Sequence, residues 1–233
     1  MKLPFEKCYC LHLAEATERY ENIKKEFERM GISDQIEIWW TVMRPISNEI
    51  GNYLTSLHTK GYDNWTATYN KNTYGAIFNI SFEFYTIIKQ AYLRGFNSIL
   101  LMEDDLKFND DIDLEKIFSN LPDDWDVIRF GYHQKHNKLM ENDIDYINAN
   151  KYDLLLKDWG FPTNNMFALN RKGMEFYINY MDNNFEVADY PLKYMFAPEN
   201  QKFNKDGKPI KQYVCKTSII SVDNFYTSII KYS

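Results

Sequence analysis

The chain has 233 residues and a formal net charge of −6, with 45% hydrophobic and 26% charged residues, the balance of a folded domain rather than a disordered segment. No basic stripe offsets the negative charge, so nucleic acid is excluded as an expected partner. No apolar run reaches transmembrane length. Residues 1–6 lack the basic start and apolar run of a signal peptide. Three cysteines (Cys8, Cys10 and Cys215) fit neither a disulfide framework nor a zinc site, so a reducing, cytoplasmic compartment is expected, either free or peripheral to the inner face of the membrane. Aromatic residues reach 17%, which fits sugar-binding platforms or a coding bias toward Tyr and Phe.

Residues 7–13 (KCYCLHL) read as a short strand. Ala16, Tyr20, Ile23, Phe27 and Met30 then recur at helical spacing, and Gly31 stops the helix. Residues 36–42 (IEIWWTV) form a second strand, completing a βαβ unit and predicting a parallel pair. Residues 44–74 carry no clear period and read as a surface excursion. Ile77, Ile80, Phe84, Ile87, Ile88 and Ala91 mark one face of a helix ending at Gly95. Ser98 to Met102 (SILLM) is a continuous apolar run, as expected of a central strand covered on both faces. A helix is predicted over 114–120 and strands over 126–131 and 166–169, with Asn170 capping a helix that carries Met174, Tyr177, Ile178 and Met181. Asp206-Gly207 predicts a turn, read as a hairpin. These elements predict one α/β domain with a mostly parallel central sheet flanked by helices.

Glu103, Asp104 and Asp105 follow SILLM directly. Ligands of open α/β sheets bind beyond the carboxyl ends of the strands. Three adjacent carboxylates repel one another there, and a divalent cation relieves that repulsion. Magnesium and manganese accept carboxylate and phosphate oxygens together. The bland alternative is a solvated acidic turn continued by Asn109, Asp110 and Asp111.

The run Ser98-Ile-Leu-Leu-Met-Glu-Asp-Asp-Leu-Lys-Phe108 resembles the EDD segment of glycosyltransferase family 25, the lipooligosaccharide and collagen galactosyltransferase-like family. Cys10-Leu-His-Leu13 with Glu18-Arg19, Gly75-Ala-Ile-Phe78, Trp125-Asp-Val-Ile128, Phe167-Ala-Leu-Asn-Arg-Lys-Gly173 and Asp189 resemble further family segments in the same order. The likeness spans most of residues 7–189, and EDD is its specific part. The family's usual Ser-His after the glycine is replaced here by Asn79-Ile80.

The resemblance implies a GT-A (Rossmann-like) fold and transfer of a hexose, chiefly galactose from UDP-galactose, to a hydroxyl of a glycan or lipid-linked oligosaccharide. It implies a Mn2+ (or Mg2+) cofactor, inversion at the sugar carbon, and a role in surface polysaccharide or lipooligosaccharide synthesis. Asp105 would ligate the metal, with Glu103 beside it, and Glu103 and Asp104 would approach the ribose or metal-bound waters. Arg19 would reach the nucleotide, or stand on a solvated helix face. Thr41 would line the nucleoside pocket, or be an ordinary strand residue. Asp189 would be the base that takes the acceptor proton, or a helix cap or turn acid. His133 and His136 offer another base or ligand pair, and Trp159-Gly160-Phe161 a sugar platform or a loop anchor. A nucleotidyltransferase and an inactive GT-A relative that binds glycan or protein partners are the competing functions. The first lacks the glycine-rich, basic phosphate loop it needs.

Overall fold

The computed structural model describes residues 1–42, 44, 49, 71–131, 154–156, 165–185, 188, 190–193, 198–215 and 219–222. Strand β1 is Lys7–Leu13, helix α1 Thr17–Met30, β2 Ile36–Thr41, α2 Lys71–Leu93, β3 Ser98–Glu103, β4 Leu106–Phe108 and α3 Leu114–Ser119. They are followed by β5 (Val127–Gly131), β6 (Leu154–Leu156), β7 (Met166–Asn170), α4 (Arg171–Asn183), the short α5 (Tyr190–Lys193), β8 (Gln212–Cys215) and β9 (Ile220–Val222).

Seven strands form one sheet in the order β2-β1-β3-β7-β5-β8-β6, and β4 pairs with β9 in a separate ribbon. Strand β1 is parallel to both β2 and β3, and β5 is parallel to β8. Strand β7 runs against β3 and β5, and β6 against β8. Five of the seven strands therefore share a direction. The α/β class with a mostly parallel sheet, expected from the sequence, is the architecture of the chain.

Alternation along the strands fills both faces. In β3, Ile99 and Leu101 pack with Ile87, Ile88 and Tyr177 of α2 and α4. Leu100 and Met102 pack with Ile23 and Phe27 of α1 and Phe118 of α3. An uninterrupted apolar run is what a strand covered on both sides requires. Helix α1 ends as its sequence indicates: Gly31 takes φ 65°, and the N–H groups of Gly31 and Ile32 close onto the carbonyls of Glu28 and Phe27. Asn170 caps α4, its Oδ1 accepting the Gly173 N–H at 2.9 Å.

Two expectations shift. Helix α2 begins at Lys71, ahead of the periodic face starting at Ile77, because residues 71–76 carry no apolar repeat to mark them. Asp206-Gly207 does turn, with Gly207 at φ 66°, but makes no hairpin. A 3-10 helix (Pro198–Phe203) precedes it, and β8 beyond it pairs with β5 and β6. Only Glu49 and Arg44 of the expected surface excursion before residue 71 are described. No helix among the described residues is long and apolar enough to cross a membrane.

Candidate functional site

The carboxyl ends of β1, β2 and β3 meet at one end of the sheet. Leu13 stands opposite Thr41, and Leu11 opposite Glu103. A cleft opens there, lined by Leu11, Leu13, Thr41, Val42, Asn79, Ile80, Glu103 and Asp104. It therefore brings together Thr41 and the first two acids of the predicted cluster, at the end of the strands where such sheets bind ligands.

The three acids do not share one environment. Asp104 is buried, with 3% of its surface exposed. Its Oδ2 lies 2.6 Å from His12 Nδ1 and accepts the Leu13 N–H at 3.4 Å. Its Oδ1 accepts from Arg19 Nη1 at 2.8 Å. Both oxygens are thus engaged within the protein. The His12 ring is walled by Tyr20 and Trp40, with centroids 5.3 and 4.8 Å away, and its Nε2 is buried without a hydrogen-bond partner. That leaves Nδ1 as the donor to Asp104, since a buried, unpaired N–H on Nε2 would cost more than an unpaired acceptor there.

Asp105 is the open member. Its Oδ1 is buried with no hydrogen-bond partner, and its Oδ2 lies 3.8 Å from Arg19 Nη2. Burial, with the negative charge of Asp104 adding to it, pushes the Asp105 carboxyl up to about 6, against the opposing pull of Arg19 and the Asn165 amide. Glu103 ends β3: its N–H donates to the Asn165 carbonyl at 3.0 Å, and its Oε2 accepts from Asn165 Nδ2 at 3.4 Å.

Arg19 is 4% exposed, turned inward onto Asp104 and Asp105 rather than outward to solvent. The Thr41 hydroxyl lines the cleft but donates to Glu83 Oε1 at 3.0 Å. Glu83, buried on α2, also accepts the Trp39 indole N–H at 2.8 Å and pairs with Arg44. Asp189, His133, His136 and the Trp159-Gly160-Phe161 segment lie outside the described residues.

Among the described residues no three His, Cys, Asp or Glu side chains are gathered to hold a metal by themselves. The donor set fits a hard divalent cation in a different way. A buried Asp105 oxygen without a hydrogen-bond partner is the kind of donor that magnesium or manganese takes when water and phosphate oxygens complete the octahedron. A larger cavity, about 470 Å³, lies at the other end of the sheet, by Arg171 and Lys172 at the start of α4. Its lysines and acids pair with one another: Lys205 with Glu175 at 2.6 Å and Lys172 with Asp206 at 3.3 Å.

Four site residues were not singled out by sequence reasoning. His12 is part of the quoted Cys10-Leu-His-Leu13 segment but has no role assigned there, and Asn165 stands just before a strand. Glu83 carried a signal, an acid on the apolar face of α2 between Ile80 and Ile87. Arg44 lay in the unpatterned excursion.

No family model and no curated protein matches the chain. Among solved structures it is similar to a glycosyltransferase involved in the glycosylation of the major capsid of PBCV-1, at 10% identity and TM-score 0.44 over 97% of this chain and 95% of that one. It is also similar to mouse xyloside xylosyltransferase 1 in its apo form, at 9% identity and TM-score 0.37 over 94% and 97%. A third likeness is to the apo-form glycosyltransferase GlyE of Streptococcus pneumoniae TIGR4, at 10% identity and TM-score 0.39 over 91% of this chain and 54% of that one. TM-scores below 0.5 leave the functional reading to the residues of the site.

Proposed function

We propose that the chain is a metal-assisted glycosyltransferase of the GT-A type, with a nucleotide-sugar as donor and a glycan hydroxyl as acceptor. The observation that carries this reading is the asymmetry of the acidic cluster. Asp104 is locked inside by His12 and Arg19, while Asp105 keeps a buried oxygen without a partner. A carboxylate raised by burial, with one buried oxygen lacking a hydrogen-bond partner, is an arrangement that a cation would complete. A nucleoside diphosphate is the ligand class that brings phosphate oxygens to such a cation at the carboxyl ends of parallel strands.

Asp105 would supply the direct metal oxygen, with Glu103 next to it. A divalent cation held there supplies charge stabilisation for the departing diphosphate. Thr41 and Asn79 give the adjoining cleft its polar lining between the apolar walls of Leu11, Leu13 and Ile80. Asp189 is the proposed base for the acceptor hydroxyl, following the family 25 resemblance. That resemblance also supports UDP-galactose as donor, an inverting transfer, a lipid-linked or surface oligosaccharide as acceptor, and Mn2+ as the metal.

A binding protein without catalysis is the second reading. It draws on Asn79, whose amide is engaged by the backbone of Arg44 where the resembling family carries its Ser-His. Hydrolysis of UDP-sugars in the presence of Mn2+ separates the two. Release of UDP from one sugar donor, abolished by EDTA, is expected; no release from any member of a hexose panel contradicts the catalytic reading.

A further inference from the structure

One guanidinium faces two neighbouring carboxylates at this site, and the contacts differ: Arg19 reaches Asp104 at 2.8 Å but Asp105 only at 3.8 Å. Both acids carry the same formal charge, so the choice between them has a local cause. Asp104 is fixed from its far side by His12 Nδ1 at 2.6 Å, with the Leu13 N–H at a longer 3.4 Å. The ring that makes the short contact cannot turn away, because Tyr20 and Trp40 close on it. Asp104 is therefore presented to Arg19 in one orientation. Asp105 has no comparable anchor on Oδ1.

We propose that His12 is a positioning residue for Asp105: by holding Asp104, it keeps the Arg19 guanidinium on Asp104 and leaves Asp105 Oδ1 open to a divalent cation. This rests on the metal-binding reading above and adds to it the residue that decides which carboxylate is available. Removing the Nδ1 donor leaves Asp104 Oδ2 with the long Leu13 contact alone. Arg19 then gains more by closing a bidentate pair on Asp105 than by keeping a single bond to a loosened Asp104. Asp105 is neutralised in place and lost to the cation. His12 itself contacts neither cation nor substrate in this account.

Two arms test it. The first is the metal-free crystal structure of His12→Leu, in which Arg19 is expected within hydrogen-bonding distance of both Asp105 oxygens. Arg19 remaining on Asp104 overturns the proposal. The second is calorimetry with Mn2+ alone. His12→Leu should bind about 10-fold or more weakly, while His12→Asn, whose amide nitrogen can stand where Nδ1 stands, should stay within about threefold of wild type. Adding Arg19→Met should raise affinity more in the His12→Leu background than in wild type, which a loss of packing would not produce. Equal binding by wild type and His12→Leu, or equal loss in the Leu and Asn variants, overturns the proposal. No Mn2+ binding by wild type sinks the metal reading instead, and the first arm still decides the role of His12. If His12→Leu does not fold, His12→Gln serves in both arms, since its amide nitrogen stands at the Nε2 position and cannot reach Asp104.

Discussion

The side-chain amide of Asn79 pairs with the backbone of Arg44 on both sides, accepting its N–H at 3.1 Å and donating to its carbonyl at 3.0 Å. An amide that satisfies a peptide group in both directions acts as one rung of a strand ladder, here supplied by helix α2. It fastens the chain just beyond β2 to the wall of the cleft.

Asn79→Ala should therefore lower stability, by about 1–3 kcal/mol, because two backbone groups near the cleft lose their partner. Urea denaturation checks this. An unchanged midpoint would show that the Arg44 peptide finds water or another partner at no cost.

Asp105 gives a pH signature in the absence of metal. Its carboxyl is raised from the ordinary 3.8 to about 6, so between those values the folded chain holds a proton that the unfolded chain has released. Stability contributed by this group is thus full at the acid end and is lost as pH rises through the window from about 4 to about 6. Asp105→Asn should melt higher than wild type at pH 7.5 in EDTA and show a flatter profile across that window. A variant that melts lower at every pH contradicts the net upward shift that burial gives this carboxyl.

Gly173, near the start of α4, lies against the backbone just ahead of β5: a Cβ added there would meet the Asp126 carbonyl oxygen at 2.3 Å. Backbone cannot yield as a flexible side chain can, so Gly173→Ala should cost about 1–3 kcal/mol by forcing helix and strand apart. A thermal melt with no change would mean that α4 shifts freely on the sheet.

Cys8, Cys10 and Cys215 are all buried, and none forms a disulfide. Burial pushes the Cys8 thiol up to about 12 and raises Cys10 well above its ordinary value. With so little thiolate at neutral pH, neither Cys8 nor Cys10 should react with a thiol reagent such as DTNB until the chain unfolds. Rapid labelling of the native protein would contradict the packing of β1.

What the sequence made legible is the part governed by local pattern. The βαβ opening, the double-faced strand β3 and the Asn170 cap follow from apolar period, continuous burial and one capping residue. The position of Glu103-Asp104-Asp105 followed from β3 itself. What the pattern could not carry is how three adjacent acids divide their roles. That depends on His12 and Arg19, which lie 92 and 85 residues from Asp104 in the chain. Arg19 was open to a solvated reading because a cation on an amphipathic helix ordinarily faces water, and its burial depends on two acids that no helical period reveals. Glu83 was missed for a related reason: its partners Trp39, Thr41 and Arg44 come from a different stretch of chain.

The most direct test of the central claim is calorimetric titration of UDP into the protein with and without Mn2+, for wild type and Asp105→Ala side by side. The account predicts Mn2+-dependent binding by wild type and a loss of about 100-fold or more in the variant, as removal of a direct ligand should cost at least what removal of an outer-shell partner does. Equal Mn2+-dependent affinity in the two proteins would contradict it.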